Sequence, residues 1–107
     1  MLDTLNAMNT LDYGEWVHLG KDIKIRLHPA GHIIGAAMIE LVIAEKTLLY
    51  TGDYCNYNQI LTGNFNLHSL PRHIDYLISE STYTRAIRSA SSTTRPWPVE
   101  RFLESTT

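Results

Sequence analysis

A histidine, an aspartate and a glutamate, each placed where an apolar run gives way to polar residues, are the side chains here whose types and spacing could do chemistry. His32 lies in Ala30-Gly31-His32-Ile33-Ile34-Gly35-Ala36-Ala37-Met38, Asp53 closes Tyr50-Thr51-Gly52-Asp53, and Glu80 opens Glu80-Ser81-Thr82-Tyr83. They stand 21 and 27 residues apart. A dinuclear zinc hydrolase needs imidazole nitrogen on an ion and a carboxylate oxygen able to bridge two ions. Three such residues cannot close a zinc site, so the pattern reads as part of an enzyme. Each also has a plainer reading. A histidine met alone is more often structural or on the surface, a Gly-Asp pair after an apolar strand is often only a turn, and Glu80 could cap the turn that follows it instead of acting as ligand or proton-transfer partner.

Other candidates are weaker. His18, His28, His68 and His73 could be recruited as further ligands, but His28 falls on the polar phase of its strand and is expected at the surface. Cys55 has no CxxC or CxH partner and reads as a semi-exposed thiol, flanked by Tyr54 and Tyr57, which could pack or line a cleft. Arg85, Arg88 and Arg95 lie among Ser and Thr and read as a solvated stretch, with phosphate contact as the alternative. No phosphate-cradling glycine loop and no Ser-His-Asp signature is present.

The elements that must position these residues are mostly strands. Ile23, Ile25 and Leu27 alternate with Lys24, Arg26 and His28, the two-residue period of a half-buried strand over 23–28. A more evenly apolar run over 36–43 predicts a strand buried on both faces. The tight connection Ala44-Glu45-Lys46 returns the chain as a strand over 47–51, and another is predicted over 74–79. Short connections favour antiparallel pairing. Glu15 to Leu19 could form a short strand, and Leu2, Leu5 and Met8 predict a short amphipathic helix. The stretch from Gly52 to His73 reads as a long irregular loop, and Ser89 to Thr94 as a linker. Pro98 suits the first turn of a helix carrying Val99, Phe102 and Leu103.

At 107 residues there is room for one small domain, and 44% hydrophobic with 19% charged residues is ordinary for a globular chain. A net charge of −2 gives no basic footprint for nucleic acid. One cysteine rules out an internal disulfide framework and fits a reducing compartment. No apolar run approaches the roughly 20 residues that span a bilayer, and Met1 to Asn9 lacks the basic start of a secretory signal. An intracellular protein is expected, cytoplasmic in a prokaryote, with the nucleus open in a eukaryote.

In order, the motifs Ala30 to Met38, Leu49 to Tyr54 and Ile74 to Tyr83 resemble the metallo-β-lactamase-fold nucleases of the β-CASP group. That group includes ribonuclease J-like enzymes and the endonucleases of messenger-RNA 3′-end processing and of the Integrator complex. The resemblance spans roughly residues 13 to 104. It implies that His32 binds one zinc, that Asp53 bridges two, and that Glu80 opens the first β-CASP motif and works with a later histidine near the leaving group. It implies hydrolysis of an RNA phosphodiester by metal-activated water, with two zinc ions and an RNA substrate in the parent protein, and a homodimer or RNA-processing complex as open possibilities for assembly.

The departures are as informative. The HxHxDH motif that supplies most zinc ligands is absent and would lie before Met1, the later β-CASP histidines would lie beyond Thr107, and Thr84 stands where the family has glycine. Residues 55 to 72 lack the Asp-Arg-His pattern of the eukaryotic 3′-end endonucleases, and Tyr13-Gly14-Glu15-Trp16-Val17 with His28-Pro29 lean instead towards prokaryotic members. The resemblance therefore implies an α/β fold, the second part of an αββα metallo-β-lactamase sandwich with mostly antiparallel strands. Residues 1–83 would be a partial lactamase domain, and 84–107 a linker and first helix leading into β-CASP. The chain alone is expected to hold zinc poorly and to be inactive. Its alternatives are a non-catalytic scaffold subunit, although such subunits lose metal ligands that are intact here, and a small-molecule metallo-hydrolase, against which Glu80-Ser81-Thr82-Tyr83 argues.

Overall fold

The computed structural model describes residues 2–55, 60–62 and 66–82. The expected helix at Pro98, the Ser89–Thr94 linker, Tyr57, Arg85, Arg88 and Arg95 lie outside the described residues. Five strands form one mixed sheet in sequential order: β1 (Val17–Gly20), β2 (Ile23–Pro29), β3 (Ala37–Ile43), β4 (Lys46–Tyr50) and β5 (Tyr76–Ile78). β1 to β4 pair antiparallel, and β5 joins β4 in parallel. A short helix, α1 (Leu2–Asn6), precedes the sheet with all its residues exposed. Among the described residues no helix is long and apolar enough to cross a membrane. The sequence periods place the strands well, with β5 shorter than expected.

Two-residue periodicity fixes the register. Arg26 sits opposite Glu40 and His28 opposite Met38, so these four side chains share one face with Leu49 and Leu77. The β3–β4 hairpin closes on Ala44 (φ 45°) and Glu45 (φ 67°), both left-handed, as a two-residue turn matching strand twist requires. Neither is the glycine or asparagine that such a turn favours. The chain's core lies on this first face. Met38 and Leu49 are fully buried beneath Leu70 and Ile74, with Tyr54, Leu67 and Leu77 packed around them. Burying one such aliphatic side chain contributes about 1.5–3 kcal/mol. The stretch expected to be only an irregular loop therefore supplies the cover of the sheet. It includes one 3-10 turn, Leu67–Ser69.

The other face carries Ile25, Leu27, Ile39, Leu41, Leu48 and Ile78. β3 was expected to be buried on both faces; instead its Ile39 and Leu41 are only partly buried and Ile43 is 45% exposed. Tyr76 at 59% and Ile78 at 52% are more open still. A contiguous apolar sheet face of this kind marks an interaction surface. The chain should accordingly self-associate and bind a hydrophobic dye. Replacing Ile43 and Ile78 together by Lys should shift it towards monomer in sedimentation velocity at little cost to folding, since surface changes usually stay within about 0.5 kcal/mol. A wild-type chain that sediments as a monomer and binds no dye would contradict this.

At one end of the sheet Asp75 fixes the β4–β5 register. Its carboxylate accepts the Thr47 amide at 2.8 Å while its own amide donates to the Thr47 carbonyl at 2.9 Å, and Lys46 and His73 lie 3.5 and 3.7 Å from it. Because β2, β4 and β5 run in the same direction, their C-terminal ends and the start of β3 meet at the opposite end. The loops that carry His32, Asp53 and Glu80 all leave from there.

Candidate active site

Three loops meet at that end of the sheet. The first joins β2 to β3 through a tight reversal, in which the Ala30 amide donates to the Ala36 carbonyl and the Ala36 amide to the Ile33 carbonyl, each at 3.0 Å. Gly31 (φ 68°) and Gly35 (φ 83°) take the left-handed conformations that let His32 sit on so short a turn. Tyr13 braces the turn, its hydroxyl donating to the Ala36 carbonyl at 2.9 Å. No sequence period could have revealed this contact, since it spans 23 residues. His32, Ile33 and Ile34 are exposed at its tip.

The second loop follows β4. The Cys55 amide donates to the Ala30 carbonyl at 2.9 Å, which ties this loop to the first, and the Thr62 hydroxyl reaches the Gly31 carbonyl at 3.2 Å. Asp53 is exposed between Gly52 and Tyr54. The end of β5 and the third loop, which follows it, are tied to the second loop three times. The Thr51 amide donates to the Ile78 carbonyl at 3.0 Å, the Glu80 amide to the Thr51 hydroxyl at 3.4 Å, and the Tyr54 amide to Glu80 Oε1 at 2.9 Å. The Thr82 hydroxyl donates to Glu80 Oε2 at 2.6 Å. That bond, the Tyr54 amide and the nearby charge of His32 together hold the Glu80 carboxyl below its ordinary range, against a smaller opposing effect of burial. An ionised carboxylate with both oxygens engaged is an acceptor, not a ready proton donor.

The loops bearing His32, Asp53 and Glu80 are thus bonded to one another at one end of the sheet. Imidazole and carboxylate are suitable zinc donors in type. Among the described residues, however, no group of three or more His, Cys, Asp or Glu side chains could hold a metal ion. The residues present do not by themselves close a metal site. The other histidines stay apart: His18 is in β1, His68 in the 3-10 turn, and His73 beside Asp75 at the far end.

His28 corrects the expectation from its strand phase. It is 4% exposed, and its Nε2 lies 2.6 Å from Glu40 Oε2. The polar phase of β2 faces the side of the sheet that the 66–74 segment and Trp16 cover, so polar alternation there does not mean solvent. Although His28 is four residues before His32, its ring is committed to Glu40. Arg26 donates through Nε and Nη2 to the same Glu40 oxygen at 3.0 and 2.8 Å. The Trp16 ring carries the Arg26 guanidinium at 4.3 Å and Lys24 Nζ at 4.2 Å from its centroid. Burial alone would raise the Glu40 carboxyl, but the His28 and Arg26 hydrogen bonds and charges together bring it below its ordinary value. Nothing local in the sequence marks this cluster, because a glutamate inside an apolar strand has no partner until register places Arg26 opposite.

No family model matches the chain. It is 43% identical over 76 residues to a transcription termination factor, FttA, of Methanothermobacter thermautotrophicus, a match covering 69% of this chain and 12% of that protein. It is 33% identical over 96 residues to cleavage and polyadenylation specificity factor subunit 3-II of Arabidopsis thaliana, covering 89% of the chain and 14% of that protein. With endoribonuclease ysh1 of Emericella nidulans it shares 38% identity over 84 residues, 77% of the chain and 9% of that protein. The chain therefore matches between 9% and 14% of the length of these relatives. Over that stretch it belongs to the β-CASP group of metallo-β-lactamase-fold nucleases.

Proposed function

We propose that the chain supplies one part of the active site of a zinc-dependent ribonuclease, with His32 binding one ion, Asp53 bridging two, and Glu80 beside them as the acidic residue of the first β-CASP motif. The observation that carries this is the bonding of the His32, Asp53 and Glu80 loops to one another at one end of the sheet. The kinship with a protein named as an endoribonuclease supports it. A bound metal pair would supply polarised water and neutralise charge developing on a phosphodiester. Within this chain, the glycine-bounded turn presents His32, the β4 loop presents Asp53, and the Glu80 carboxylate lies against the Asp53 loop. The donors that complete the centre are not among the described residues.

The same reading assigns residues 1–83 to part of a lactamase domain and 84–107 to the start of a β-CASP region. It places the open apolar face, with Ile39, Leu41 and Leu48, against the second sheet of an αββα sandwich. RNA is the substrate, and an RNA-processing complex is the setting.

The test is a chimera in which this chain replaces the matching stretch of the Emericella nidulans endoribonuclease. Metal-dependent cleavage of a labelled RNA, abolished by a chelator and restored by zinc, is the expected result. A chimera that folds and binds zinc at full occupancy but leaves the RNA intact would sink the proposal. The isolated 107-residue chain is expected to leave the same RNA uncut, and zinc-dependent cutting lost in His32→Ala would overturn that.

A further inference from the structure

The contacts of Glu80 point to a role that the ribonuclease reading does not include. Both of its carboxylate oxygens are spent on holding backbone and loop: Oε1 accepts the amide of Tyr54, the residue after Asp53, and Oε2 accepts the Thr82 hydroxyl. We propose that Glu80 and Thr82 form a clasp on the backbone of the Asp53 loop, so that both are positioning residues for the Asp53 carboxylate. The proposal rests on the reading of Asp53 as the metal-binding carboxylate.

The geometry is directional. The Thr82 hydroxyl bond is the shorter of the two, 2.6 against 2.9 Å, as hydroxyl donors to a carboxylate are. It fixes the rotation of the carboxylate and so aims Oε1 at the Tyr54 amide. One residue away, the Cys55 amide is anchored separately to Ala30, and on the other side the Thr51 amide is anchored to Ile78. Asp53 thus lies between two anchors built from backbone and beside one that depends on side chains. The clasp can be loosened by side-chain substitution, whereas the Thr51 and Cys55 amide anchors are bonds between backbone groups.

Residue-resolved amide exchange by NMR on the whole 107-residue chain tests this directly. Thr82→Val removes the hydroxyl with little change of shape. It should speed Tyr54 amide exchange by about tenfold, the scale of a local opening, and shift the Asp53 amide resonance. The Cys55 and Thr51 amides should stay at their wild-type rates. Thr82→Ser should restore Tyr54 protection, and Glu80→Ala should remove at least as much of it as Thr82→Val. Unchanged Tyr54 exchange in both Thr82→Val and Glu80→Ala would overturn the clasp. So would a rise shared equally by Thr51, Tyr54 and Cys55, because the pair would then support the whole fold and not this loop. Retained RNA cleavage by an Asp53→Ala chimera would refute the reading of Asp53 as a metal ligand while leaving these exchange rates as they are.

Discussion

Asp53→Ala in the chimera with the Emericella nidulans endoribonuclease should lower RNA cleavage by more than about 100-fold, beyond the 10–100-fold that changes behind a metal ligand cost. On the proposed reading Asp53 would serve both ions of a metal pair, so its loss would cost each of them a donor. His32→Ala should also lower the rate, but excess zinc should recover more of it than for Asp53→Ala, because one ion keeps its donors. Asp53→Asn separates charge from shape, since it keeps the exposed loop position and an oxygen yet cannot bridge as an anion. Stopped assays across a zinc titration give both numbers. If Asp53→Ala and His32→Ala cleave within about threefold of the parent chimera, neither residue is a ligand.

Glu40→Ala should destabilise the chain by about 3–5 kcal/mol, the cost of removing one partner from a buried ion pair. The carboxylate is 3% exposed and is the shared acceptor of His28 and Arg26, so its removal strands both. The pH dependence has a definite sign. The folded carboxyl titrates below its ordinary value of 4.5, so its stabilising contribution is complete above that value and is lost as pH falls through the lower folded one. Urea denaturation should therefore find the gap between wild type and Glu40→Ala widest near neutral pH and closing under acid. A gap that stays constant down to the acid limit would mean that the charge of Glu40 contributes nothing.

How much of this was written in the chain can be followed residue by residue. Alternation at Ile23, Ile25 and Leu27 suffices to locate β2, because the two-residue period of a strand is a local property of the backbone. The Gly31 and Gly35 pair announced a sharp turn around His32, and both carry positive φ. The motif residues His32, Asp53 and Glu80 were legible as types suited to metal chemistry, and kinship with the β-CASP group followed from their order. Local pattern could not say which face of the sheet would be covered. Polarity alone predicts His28 at the surface, whereas its burial depends on what the 66–74 segment and Trp16 bring over that face. Nor could it supply the parallel addition of β5 to β4, which sends Glu80 to the same end of the sheet as Asp53.

Strand positions, the His32 turn and the identity of the candidate donors are local properties of the chain, since each depends on neighbours within a few residues. Tertiary structure alone decided which distant groups would share a hydrogen bond: Tyr54 with Glu80, Cys55 with Ala30, and Arg26 and His28 with Glu40. Those pairs lie 12 to 26 residues apart, and one residue of slip in any strand register would turn the side chains of that strand to the opposite face. Register is a property of the sheet as a whole, fixed by which apolar side chains are covered together, and no single segment carries it.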